Sequence, residues 1–214
     1  MSGASDQQKM LRFDPAEHRP QNIYKMMIGC VVPRPIAFVS SIDAEGIYNL
    51  APFSFFSAVC SKPPTVLFCP GVRATTGKSK DTLRNVLATK EFVVNVVTYE
   101  LAEAMNKTSG EYDASVNEFE VAQIACAPSQ VVKVPRVAAS PVSFECKLYQ
   151  ILDFSRSPES GSLVIGQVVS IHVDDSHLKE GKLDRNSLDL IGRMGGIQYT
   201  RTTQRFDMVR PKVG

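Results

Sequence analysis

Apolar residues along this chain fall into short runs that change period part-way through. Pro35-Ile-Ala-Phe-Val-Ser-Ser-Ile42 is rich in β-branched and aromatic side chains, Asp43-Ala-Glu-Gly46 supplies a turn, and residues 47–50 resume the strand. That unit predicts a hairpin. Residues 53–60 and 65–68 predict two further strands, separated by Lys62-Pro63-Pro64, which no regular ladder would hold. In Asp81-Thr-Leu-Arg-Asn-Val-Leu-Ala88 the spacing of Leu83, Val86 and Leu87 predicts one face of a short amphipathic helix, with Ser79 or Asp81 capping its first turn. Glu91-Phe-Val-Val-Asn-Val-Val97 is again an apolar strand. Residues 99–120 read as helical or irregular, 131–141 as extended with prolines, and 142–153 and 163–173 as two long strands joined by a Ser-Pro-Glu-Ser-Gly loop. From Leu188 on, glycine pairs mix with short strand signals. Residues 1–20 are polar and read as a loose arm.

About seven strands and two or three short helices, with no regular β–α alternation, predict a mainly β fold with short helices. A closed antiparallel barrel in a single domain over residues 21–214 is the expected form. Composition agrees with a globular chain: 43% of residues are hydrophobic and 21% charged. The net charge is only +2 and the basic residues are scattered, which argues against a nucleic-acid partner. No apolar run approaches the roughly 20 residues that span a bilayer, and the polar start has no export core, so a cytoplasmic protein without a membrane partner is expected. Cysteines 30, 60, 69, 126 and 146 are too far apart for CxxC chemistry and odd in number, which fits a reducing compartment. Cys60 and Cys69 end strand-like runs and are expected to be buried.

Candidate chemistry begins with a near miss. Gly71-Val-Arg-Ala-Thr-Thr-Gly77-Lys78-Ser79 resembles a phosphate-binding P-loop, but five residues rather than four separate its glycines. The register matters because such a loop wraps its backbone N–H groups around a phosphate. The same stretch still gathers Lys78, Ser79, Lys80 and Thr82 at a helix N-terminus, where either an anion or plain solvated lysines would be at home. Asn49-Leu-Ala-Pro-Phe-Ser-Phe-Phe-Ser57 offers an apolar wall for a flat heteroaromatic ligand, but from the residues alone the favoured reading is an ordinary core strand in which Phe53, Phe55 and Ser57 share a face. His172 and His177 have a spacing that suits no metal hairpin, and a structural imidazole is the reading for His172. No nucleophile elbow exists.

Taken in order, these stretches carry a resemblance. Pro33-Arg-Pro-Ile-Ala-Phe-Val-Ser-Ser41, Gly46, Asn49-Leu-Ala-Pro-Phe-Ser54, Lys62-Pro-Pro64, Lys80-Asp-Thr82, Glu91-Phe-Val-Val-Asn95, residues 136–146, Ile165-Gly-Gln-Val-Val169 and Arg193-Met-Gly-Gly196 resemble the flavoredoxin-like branch of the flavin reductase family over roughly residues 20–200. The resemblance implies an FMN-binding split β-barrel, usually a homodimer, in which FMN takes a hydride from NADH or NADPH. Some relatives pass reduced flavin to a partner monooxygenase; others are electron carriers without nicotinamide activity. It places Asn49, Leu50, Ala51, Pro52, Phe53 and Ser54 along the isoalloxazine. Because Pro52 has no N–H, the amides of Ala51, Phe53 and Ser54 are the expected donors. Ser40 and Ser41 are assigned to ribityl or phosphate oxygens, and Lys80 and Thr82 to the phosphate. Asp81 is expected to order the loop, since a carboxylate would repel a phosphate. Arg193 is assigned either to the flavin or to a salt bridge in the tail. Neither a metal nor a catalytic acid or base is implied, because the chemistry is the cofactor's. Stacking, with no Trp present, falls to Phe or Tyr, Tyr199 being one candidate. Arg73 receives no role.

Overall fold

The computed structural model describes residues 10–73, 76–155, 157, 160–184 and 186–213. The first nine residues of the expected arm lie outside the described residues. Helix α1 (Pro20–Cys30) precedes strands β1 (Ala37–Ile42), β2 (Tyr48–Phe53), β3 (Phe56–Ser61) and β4 (Pro64–Phe68). Helix α2 (Asp81–Thr89) runs into β5 (Glu91–Asn95), followed by short α3 (Ala102–Lys107), α4 (Glu118–Val121) and the two-residue strands β6 (Cys126–Ala127) and β7 (Arg136–Val137). The long pair β8 (Val142–Asp153) and β9 (Ser162–Val173) follows, then β10 (Leu178–Lys179), β11 (Lys182–Leu183), β12 (Ile191–Arg193) and β13 (Tyr199–Arg201).

Seven strands make one antiparallel sheet in the order β2-β1-β5-β8-β9-β4-β3. Its two edges, β2 and β3, are consecutive in sequence yet share no ladder among the described residues; this is the split barrel that the family resemblance implies, where the strand pattern alone suggests a closed one. Strand β1 shows how the sheet serves two cores. Ala37 and Val39 point into the barrel beside Phe53, Phe68, Phe92 and Val164, while Phe38 points the other way into a cluster with Leu50, Met105 and Phe119. Alternate side chains of a strand face opposite sides, so α2 covers one side of β1–β2 and α3 with α4 covers the other. Close approach is extreme at Gly166, where an added Cβ would sit 2.2 Å from the ring of Phe92.

Several expectations change. Helix α1 falls inside the arm and domain start, opened by Pro20 at its first turn, yet it buries only Ile28. Strand β2 continues through Pro52 to Phe53, because an edge strand tolerates a residue that cannot donate outward. Lys80 occupies the N-cap of α2 without a side-chain cap bond, so neither Ser79 nor Asp81 caps it. Leu83 and Val86 are buried but Leu87 is 47% exposed. Residues 131–141 are largely irregular, with only β7 pairing. Cys60 is exposed on the edge strand and Cys69 only half-buried; Cys146 is the buried thiol.

Candidate functional site

The polar chemistry of the molecule concentrates where β2, α2 and α4 meet. Asn49 shares the α2-facing side of β2 with Ala51 and Phe53, and its Oδ1 accepts hydrogen bonds from Thr82 Oγ1 at 2.7 Å and Ser41 Oγ at 3.2 Å. Its Nδ2 donates to Glu118 Oε1 at 2.8 Å, while Leu50 N–H donates to Glu118 Oε2 at 3.0 Å. Asn85 Nδ2 extends the chain to Ser41 Oγ at 3.2 Å. Every member is buried, and each polar group that the network uses is paired, as low dielectric demands. Burial pushes the Glu118 carboxyl above its ordinary pKa, partly offset by the Leu50 amide.

Above this floor lies a cleft whose walls include Asn49, Ala51, Pro52, Lys80, Asp81 and Thr82, with Arg73, residues 108–111 and Glu118 completing it. Lys80 is half-buried, its ammonium 5.8 Å from the centre of the Phe53 ring, and desolvation lowers its pKa. Among the described residues this ammonium has no salt-bridge partner. Arg73, by contrast, is paired with Asp81, which also receives Arg84 at 2.7 Å. The amides of Leu83 and Arg84 close on the Lys80 carbonyl, so those of Asp81 and Thr82 precede the first intrahelical bond. The cleft thus presents a desolvated cation and two helix-start amides above an edge strand.

Residues 28–189 match the flavin reductase like domain family. This chain belongs to the flavin reductase-like family. A protein of Aquifex aeolicus (strain VF5) is 40% identical over 192 residues, covering 89% of this chain and 95% of its own. Among solved structures, the nitrilotriacetate monooxygenase component B from Bacillus cereus superposes with a TM-score of 0.88 at 31% identity, over 94% of this chain and 100% of that one. The 2-nitrobenzoate 2-nitroreductase from Pseudomonas fluorescens gives 0.83 at 32% identity, over 94% and 96%.

Six of the twelve residues assigned from sequence line this cleft of the flavin reductase-like chain: Asn49, Ala51, Pro52, Lys80, Asp81 and Thr82. Ser40 and Ser41 lie nearby but are fully buried, with the Ser40 hydroxyl donating to the Pro135 carbonyl and that of Ser41 to Asn49. Leu50 and Phe53 are core residues, so the aromatic wall resolves into core packing at Phe53. The expected amide donors also change. Leu50 N–H faces outward to Glu118, and antiparallel alternation therefore turns the amides of Asn49, Ala51 and Phe53 inward to β1. Ser54 Oγ accepts from Arg34 Nε at 3.4 Å. Among the described residues Arg193 joins neither the cleft nor a salt bridge: its guanidinium stacks 4.4 Å from the Tyr199 ring and donates to the Gly196 carbonyl at 2.5 Å. Tyr199 is therefore covered on one face.

The P-loop resemblance fails structurally. Residues 74 and 75 lie outside the described residues, but Gly77 N–H donates to the Arg73 carbonyl and Arg73 N–H to the Lys78 carbonyl, so these amides close on their own loop. His172 is tied by Nε2 to Glu145 at 2.5 Å, away from the cleft. Sequence reasoning missed three buried ionisable side chains, Arg34, Glu118 and Glu145. Arg34 bonds the carbonyls of Ile28, Val31 and Met194 and so ties α1 to the tail. Glu118 gave only a weak signal, an Asn117 whose side chain caps α4.

Proposed function

We propose that this protein is an NAD(P)H-dependent flavin reductase that binds FMN in the cleft between β2 and the start of α2. The observation that carries the reading is the half-buried Lys80 ammonium at the head of α2, which lacks an ion-pair partner among the described residues and offers charge to a phosphate. Lys80 would hold the phosphate together with the helix-start amides of Asp81 and Thr82. Thr82 serves differently from the sequence expectation, because its hydroxyl proton is committed to Asn49 and its side chain is 1% exposed. It orients Asn49, which with Ala51 and Pro52 forms the floor. Bound FMN would supply the redox chemistry, taking a hydride from NADH or NADPH. The protein's residues bind, orient and exclude water, and none need act as acid or base.

Likeness to a monooxygenase component B supports delivery of reduced flavin to a partner oxygenase. Edge strand β3, exposed from Ser57 to Ser61, and the exposed Tyr24, Met26 and Met27 of α1 support a homodimer that covers them. Five free cysteines suit a cytoplasmic protein, and no helix is long and apolar enough to cross a membrane. The test is anaerobic: the protein is reconstituted with FMN, desalted and given NADH or NADPH. Bleaching of bound flavin with either donor is expected; bound flavin that stays oxidised with both points to a carrier instead. A second reading, direct reduction of a nitroaromatic acid, draws on the likeness to the nitroreductase. Nicotinamide oxidation that requires 2-nitrobenzoate, with no added flavin acceptor, would favour it.

A further inference from the structure

Glu118 has no assigned role, yet it controls the outer edge of β2. Outward-facing backbone positions on that strand alternate, so around the cleft they are Leu50 and Pro52. Pro52 cannot donate, and the Leu50 amide is held by Glu118 Oε2. The other carboxylate oxygen takes Asn49 Nδ2, which leaves Asn49 Oδ1 to face Thr82 and Ser41. An ionised carboxylate only accepts, so it dictates the orientation of the Asn49 amide. A protonated Glu118 would donate from one oxygen toward a group that is itself a donor, and the network would lose a bond.

Building on the flavin-binding reading above, we infer that Glu118 is a positioning residue: as a carboxylate it fixes Asn49 and Leu50 in the arrangement that receives the cofactor. Few charges compete for it. Asp81, from α2, faces it and opposes its ionisation; Lys80, Arg73 and Glu111 line the same cleft, and β2 contributes only the Tyr48 phenol. Burial and Asp81 together raise the pKa of Glu118, which brings its protonation closer to neutral pH.

Two measurements test this. In ligand-free protein, the Leu50 amide resonance should titrate with Glu118 and stop titrating in Glu118→Gln; a Leu50 resonance that titrates identically in both overturns the geometry whatever the protein binds. The FMN dissociation constant, measured by flavin fluorescence, should weaken about tenfold as pH falls through the same midpoint, the size expected for a lost hydrogen bond to a charged group. Glu118→Gln should be weak and pH-independent, while Glu120→Gln, an exposed change on the same helix, should follow wild type. Glu118→Gln protein that is less stable but binds FMN like wild type would reduce Glu118 to a structural residue and overturn the inference. Should that variant not fold, coincident wild-type midpoints for Leu50 and for FMN affinity support it, and separate midpoints contradict it. Wild-type protein that binds neither FMN nor FAD defeats the flavin reading instead, and is told apart by an intact Leu50 titration.

Discussion

Two buried glutamates, one on the sheet-interior strand β8 and one on α4 beside the edge strand β2, behave in opposite ways. Glu145, on β8, is fully inaccessible and accepts the amides of Gln130, Val131 and Val132 at 2.7–2.8 Å as well as His172. Burial is the largest single influence on it and opposes ionisation, yet the four hydrogen bonds outweigh burial and bring its pKa down to about 2. Glu118, at the cleft, has the Leu50 amide, its own backbone amide and the Asn49 carboxamide, with Asp81 as a neighbour, and burial raises its pKa. The difference is donor number. A carboxylate saturated by backbone N–H groups acts as a rivet for the irregular 128–137 loop. One with fewer donors remains responsive, and it is the one that borders the cleft.

Breaking the saturated site should have the largest effect. Glu145→Gln replaces an acceptor of four donors by an amide that must turn its own N–H toward some of them. Disturbing three backbone hydrogen bonds to a buried charged acceptor makes a loss of about 3 kcal/mol the expected order in urea unfolding at pH 7. The sign follows from the depressed pKa. Glu145 contributes its full stabilisation above the unfolded-state value near 4.3 and loses it as pH falls toward about 2. Acid unfolding in that window should therefore flatten in Glu145→Gln, while FMN affinity of the folded variant stays at the wild-type value.

Glu118 reverses that sign and is worth less. With its folded-state pKa raised, the native state binds the proton more tightly than the unfolded chain. Stability should rise as pH falls from that raised pKa to about 4.3, the difference between wild type and Glu118→Gln in urea midpoint tracing the change. Flavin affinity runs the other way over the same range, so fold and cofactor binding are set against each other at this residue. Smallest of all is Thr82→Val, which removes one donor from Asn49 while Ser41 still satisfies the same oxygen. About 1 kcal/mol of stability, with an FMN effect no larger, is expected by chemical denaturation and fluorescence titration. An FMN loss well above that would return the Thr82 hydroxyl to the phosphate.

The same contrast explains what was legible in the sequence. Strands β1, β4, β5, β8 and β9 announced themselves through β-branched runs, because local propensity and burial agree there. Lys80, Asp81 and Thr82 were readable as a helix start, and Asn49 to Pro52 as its neighbour through the family resemblance. Glu118 was not, since it meets Asn49 across 69 residues of chain and through a four-residue helix. Ser40 and Ser41 misled for a related reason. Their strand is paired on both edges and covered on both sides, so hydroxyls that look available are spent internally. Helix α1 was overlooked because its apolar residues are mostly exposed and its amphipathic signal is weak.

The central claim is that the head of α2 receives the phosphate of the cofactor through Lys80. Fluorescence titration of FMN and riboflavin against wild type and Lys80→Ala tests it most directly, since the two ligands differ only in that phosphate. Wild type should favour FMN, and Lys80→Ala should lose about 2 kcal/mol of FMN binding while riboflavin binding holds steady, collapsing the preference. A Lys80→Ala protein that keeps the full preference for FMN over riboflavin would place the phosphate elsewhere and contradict the account.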